Sequence, residues 1–168
     1  RQIGEAGRDL VAQGLAAYER RFPVLAGISF AEAVELARAY LTPAERYVPQ
    51  AVAQIRGLAE GANAPFEALF ALNCSEEFTC RADIVWPAPE HCTSIAFVAG
   101  GRVVAGHNED WYPEDVEGLV VRKVTDAGGV GYLSVGAAYD LPMTGVTSNG
   151  FSLAANTVYY RDERVGVP

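Results

Sequence analysis

Cys92-Thr93-Ser94-Ile95-Ala96-Phe97-Val98 runs into Gly100-Gly101, and Val103-Val104-Ala105 then leads to Gly106-His107-Asn108-Glu109-Asp110-Trp111. Two short apolar runs rich in β-formers, separated by paired glycines, predict a hairpin. A hairpin returns the polar cluster 106–111 to the neighbourhood of Cys92. From here the chain reads as sheet; behind it, as helix.

The residues before 84 are periodic at helical spacing. Ile3, Leu10, Val11, Leu15, Tyr18 and Phe22 fit one apolar stripe. Ser29 followed by Glu32 forms a capping box, and Ala33, Val34, Leu36, Ala37 and Leu41 continue that helix. Thr42-Pro43-Ala44-Glu45 repeats the signal, with proline where a first helical turn tolerates it, and predicts a new helix. Gly61-Ala62-Asn63 ends that helix, and a further one starts near Pro65, carrying Phe66, Leu69, Phe70 and Leu72. Between Ile84 and Glu90, Pro87 and Pro89 exclude helix and impose an extended path. This segment reads as a linker presenting the His91–Cys92 bond.

Beyond the first hairpin, Leu119 to Val124 is a strand, turned at Asp126 to Gly129 and returned by Gly131 to Val135. Val146 to Asn156 forms another hairpin about Ser148-Asn149-Gly150, with Phe151 to Ala155 as its second strand. Glu114 and Asp115 read as solvated loop charges. The fold class is α+β, with N-terminal helices followed by an antiparallel sheet.

The chain has 168 residues, half of them hydrophobic, and a formal net charge of -8. The length supports a real core. The acidic balance argues against nucleic acid or an anionic membrane surface as partner, and no apolar run is long enough for a membrane helix. A cytoplasmic protein is expected, although a chain beginning at Arg1 could have lost a leader. The opening at Arg1 and the ending Val165-Gly166-Val167-Pro168 read as a fragment of a longer protein. Cys74, Cys80 and Cys92 are an odd number, which disfavours a disulfide framework. A Cys74–Cys80 bridge is one reading, and two buried reduced thiols the favoured one.

The paired motif, Cys92 to Phe97 followed by Gly106 to Trp111, resembles the start of the mature catalytic chain in the isopenicillin-N acyltransferase family of N-terminal-nucleophile (Ntn) hydrolases. The helical stretch before 84, with Ala68 to Asn73, is similar to that family's N-terminal segment. The resemblance implies a four-layer αββα sandwich of which this chain is an incomplete part. Residues 1–91 would be the helical propeptide, with the linker 84–91, and 92–168 the first part of the catalytic chain.

It also implies a chemistry. The Cys92 thiol attacks the His91 carbonyl, and an N-to-S shift followed by hydrolysis frees the Cys92 amine as base for its own thiol. An α-amino group titrates near pH 8 and a thiol near 8.5, so such a base fits the task. Asp110 would hold that amine and Asn156 would donate to the oxyanion; Asn108 and Trp111 would contact substrate. The expected substrate is a small N-acyl amide, cleaved or transferred through a Cys92 thioester. No cofactor is expected. His107 and Glu109 beside Cys92 and Asp110 suggest a metal, but paired ligands at short zinc-like spacing are lacking, so none is expected. The missing C-terminal half is the expected partner, and a homo-oligomer stays open. A different class of reading is an inactive relative or fragment serving as a binding or assembly module. A redox thiol protein using Cys74 and Cys80 is the weakest reading, because their spacing is not that of a redox pair.

Overall fold

The computed structural model describes residues 1–79, 92–157 and 164–168. Linker 84–91, Cys80 and Tyr159-Tyr160 therefore lie outside the described residues. The helices are α1 (Gln2–Ala6), α2 (Arg8–Leu25), α3 (Phe30–Tyr47), α4 (Pro49–Ala62), α5 (Phe66–Asn73) and α6 (Ser75–Thr79). The strands are β1 (Thr93–Ala99), β2 (Arg102–Asn108), β3 (Leu119–Thr125), β4 (Gly131–Ala137), β5 (Thr144–Thr147) and β6 (Ser152–Leu153). The mixed architecture, helices first and antiparallel sheets after, is the one the sequence predicts.

The capping box at the start of α3 is complete. Ser29 Oγ accepts from Glu32 N–H, and the Glu32 carboxylate accepts from Ser29 N–H at 2.8 Å. The new helix expected at Thr42-Pro43 does not occur, because α3 continues through Pro43 to Tyr47. An interior proline typically costs about 3 kcal/mol. Here Ala33, Ala37, Tyr40 and Ala44 form one buried stripe that spans the proline, and stopping the helix would expose its end. The next helix starts instead at Pro49, with proline at its first position. It ends on Asn63 in the left-handed conformation, φ 55°.

The first stripe is also split. Gly7 separates α1 from α2, and Ile3 stays 38% exposed while Val11 and Phe22 are fully buried. α1 instead lies against α4 through glycine: a Cβ on Gly61 would stand 2.1 Å from Arg1 O.

Gly100 and Gly101 both take positive φ, 57° and 72°, as a tight hairpin turn between β1 and β2 requires. The pairing Thr93↔Asn108 and Ser94↔His107 sets the polar cluster beside Cys92. β1 and β2 form one two-stranded sheet, and β3-β4-β5-β6 a separate antiparallel one. The strand expected over Phe151–Ala155 is shorter than its pattern, since only Ser152 and Leu153 pair, opposite Val146 and Gly145.

Three joints dock the second sheet on the helices. Gly14 in α2 admits the Tyr139 ring, and a Cβ there would stand 2.0 Å from the ring. Asn73, at the end of α5, donates to Tyr139 O at 3.2 Å and accepts from Leu141 N–H at 2.8 Å. Arg21 in α2 holds Asp115 by two bonds of 2.7 and 2.8 Å, and the Tyr139 hydroxyl donates to the same carboxylate. Asp115 is thus no solvated loop charge: it is 3% exposed.

Apolar side chains remain at the surface of both sheets. Phe97, Val98, Val103 and Val104 are exposed on the β1–β2 hairpin, and Val121, Leu133, Val135 and Val146 on the second sheet. In the second sheet these four lie on one face, because Val121 pairs with Val135 and Leu133 with Val146. No helix among the described residues is long and apolar enough to cross a membrane.

Candidate active site

Cys92 immediately precedes β1, partly exposed at the edge of a cleft of about 360 Å³. Leu25, Val52, Ile55 and Phe70 line its helical side, while Glu109, Asp110, Trp111 and Tyr112 line the side near Cys92. Glu76, Glu77 and Asp140 also reach it, and no lysine, arginine or histidine lines it among the described residues.

Side-chain hydrogen bonds around Cys92 close a circuit. Asn156 Nδ2 donates to Cys92 O at 2.6 Å, and Ser94 Oγ donates to Asn156 Oδ1 at 2.5 Å. A hydroxyl has one proton to give. Ser94 must therefore accept from His107 Nδ1–H across their 2.9 Å contact. The other ring nitrogen, Nε2, faces Glu109 Oε2 at 2.8 Å. Glu109 Oε1 in turn accepts the Cys92 thiol proton at 3.1 Å. These orientations follow from donor and acceptor counting along the network. A nitrogen lone pair cannot face a carboxylate oxygen at that distance without a proton between them.

Strand geometry explains the convergence. Ser94 and His107 are register partners, so their side chains share one face of the hairpin. The chain after β6 brings Asn156 across to the same place. Burial raises the Cys92 thiol above its ordinary value, and the hydrogen bond to Glu109 adds to this. The backbone N–H of Asp110 acts in the opposite direction, while the charges of Glu109 and Asp110 raise it further. The net effect keeps the sulfur protonated, so this thiol needs a base to react.

The expected site residues are not all brought to the sulfur. Cys92 and Asn156 touch directly. The Asp110 backbone favours the thiolate, and the Asp110 carboxylate accepts from Asn108 Nδ2 at 2.8 Å. Asn108 uses an amide N–H in that bond and is not among the residues lining the cleft. Trp111 lines the cleft and packs on the helical core. His91 lies outside the described residues. Ser94 carries no motif that marks it as a site residue, and His107 and Glu109 show in the sequence only as a metal pair without zinc-like spacing. The signal available was the hairpin register itself, which sets Ser94 opposite His107.

Cys74 is buried and free, and burial pushes its thiol up to about 12, so it is unreactive. Asp140 is pushed up to about 8, first by burial and then by the charge of Asp115, against the opposing Arg122 and Arg21. A carboxyl raised in the folded state stabilises the fold most below its unfolded value near 4. That contribution is lost as pH rises towards 8. Asp140→Asn is therefore expected to stabilise by about 1 kcal/mol at pH 5 and by clearly more at pH 9. Urea unfolding at the two pH values checks this, and equal effects at both would contradict it.

Compared with protein-family models and with curated proteins, the chain finds no match.

Proposed function

We propose that Cys92 is the nucleophile of an Ntn-type amidohydrolase or acyltransferase acting on a small N-acyl amide. The observation that carries this reading is the meeting of residues far apart in sequence. Asn156 Nδ2 donates to the Cys92 carbonyl oxygen across 64 positions, and Glu109 accepts from the Cys92 thiol across 17. A structural cysteine at a strand edge needs no such company.

In this reading the Cys92 sulfur attacks the His91 carbonyl carbon. The C–N bond breaks as the acyl group moves to sulfur, and the departing nitrogen takes a proton to become the free α-amine. Water then cleaves the thioester, leaving a His91 carboxylate and the thiol. In turnover the amine takes the thiol proton, and the thiolate attacks the amide carbonyl of the substrate. The leaving amine departs with a proton, and water or a second amine resolves the thioester. Asp110 favours the ammonium by its charge. Asn156 has a second N–H besides the one given to Cys92 O, suited to an oxyanion. The apolar sheet faces left at the surface suit the further layers of an αββα sandwich. They equally suit an assembly module, and the chemistry separates the two readings.

The test is a panel of N-acyl amides offered to the full protein, with hydroxylamine trapping of any thioester and peptide mass mapping of the acylated residue. Acylation at Cys92 supports the reading. No acylation across the panel, with neutral and cationic amines both included, favours the assembly module.

Asp110→Asn is expected to fold normally and to lower kcat/KM by about 100-fold or more, because the nearly isosteric change removes the charge that favours the protonated amine. Glu114→Gln, at an exposed position, should change it little. If Asp110→Asn matures and turns over within about threefold of the parent, under about 0.7 kcal/mol, the carboxylate has no such part.

A further inference from the structure

Spacing along the chain argued against a metal; the hairpin register reverses that argument for one residue set. Cys92 Sγ, an His107 ring nitrogen and a Glu109 carboxylate oxygen all lie within 4.8 Å of one another. We propose that these three side chains form a binding site for a divalent ion of the zinc type, and that the bound ion blocks the Cys92 thiol.

The donor set selects the metal class. One sulfur, one imidazole nitrogen and one carboxylate oxygen suit zinc and its borderline neighbours, whereas magnesium and calcium take oxygen ligands. Zinc binds at about 2.3 Å to sulfur and about 2.0 to 2.2 Å to nitrogen or oxygen, so tetrahedral ligand atoms sit roughly 3.3 to 3.6 Å apart. The sulfur lies 3.1 Å from Glu109 Oε1 and His107 Nε2 lies 2.8 Å from Glu109 Oε2, with one ligand atom from each residue within 4.8 Å of the others, so side-chain shifts of about an ångström bring them to tetrahedral spacing. Three protein ligands leave a fourth position for water, the pattern of an open site.

The surroundings set the histidine as a ligand. Asn156 fixes the Ser94 hydroxyl as a donor towards itself, which forces Ser94 to accept from His107 Nδ1–H. Zinc-binding histidines commonly donate their second N–H in this way, which settles the tautomer and the ring orientation. Nε2 is then left facing Glu109, and a positive charge is required between them. A proton meets that need in the described state, and a zinc ion meets it with the sulfur as an added ligand. Binding releases the thiol proton and the proton shared by His107 and Glu109, and no bond to carbon changes.

Metal binding itself does not depend on Cys92 being a nucleophile. The blocking of turnover rests on the proposed function. The experiment is zinc titration of the metal-stripped full protein against a chromophoric chelator, with cobalt(II) as a spectroscopic probe of the sulfur ligand. One ion per chain is expected, with a thiolate-to-cobalt absorption band. Cys92→Ser should lose that band, and His107→Gln and Glu109→Gln should each weaken binding at least 10-fold. Ser94→Ala, which removes the acceptor of His107 Nδ1–H together with the donor to Asn156 Oδ1, should weaken it about 10-fold. Asp110→Asn should keep the cobalt band, and circular dichroism checks that every variant folds. Absence of stoichiometric binding, or equal binding by Cys92→Ser, overturns the site. A protein that binds zinc through Cys92 yet never acylates it keeps this site and loses the proposed function. A protein that acylates Cys92 but ignores zinc does the reverse.

Discussion

Cys92→Ala is expected to leave the full protein as one chain and to abolish turnover of every amide the parent accepts. The loss should reach the background rate, because both the self-cleavage and the thioester need the same sulfur. Cys92→Ser is expected to cleave slowly or not at all. A serine hydroxyl has the geometry but gives up its proton far less readily than a thiol. The check is intact-mass analysis paired with an activity assay under identical conditions. An alanine variant that still splits before residue 92, or still turns over an amide, removes Cys92 from the chemistry.

The second large effect is on stability. Asp115→Ala leaves the Arg21 guanidinium buried against Tyr18 and Tyr112 without its carboxylate. Removing one partner of a buried ion pair typically costs about 3 to 5 kcal/mol, much of it the penalty of the orphaned charge. For a domain of this size that is a fall in Tm of roughly 10 °C or more. Tyr139→Phe removes one hydroxyl from the same carboxylate and should cost only about 1 kcal/mol. Calorimetry on both variants distinguishes the cases. A loss in Asp115→Ala no larger than in Tyr139→Phe would mean that the ion pair does not hold the sheet to α2.

What was legible in the sequence follows physical range. The hairpin of β1 and β2 is a local event, with paired glycines between two β-rich runs, and its register follows from the turn. The cap at Ser29 is equally local. Pro43 misled because its local preference lost to a buried stripe that only the packed helices create. Phe151 to Ala155 has strand character but finds partners for just two residues. Asp115 could not be placed from spacing, because its partner Arg21 lies 94 positions away.

The same division holds in the site. Cys92, Asp110 and Asn156 came from motif resemblance, and the fold brings their backbone or side chains together. Ser94, His107 and Glu109 carry no motif of their own. Their closeness depends on strand pairing, and their polarity on an asparagine that arrives from beyond a second sheet. Asn73 was hidden similarly, since nothing in a helix-ending sequence reveals that its amide bonds to Tyr139 O and Leu141 N–H.

The most direct measurement is the intact mass of the purified full protein, with N-terminal sequencing of each chain found. The proposed chemistry predicts two chains, one of which begins at Cys92 with a free α-amine. A single uncut chain whose Cys92 takes up no acyl group from any amide would contradict it.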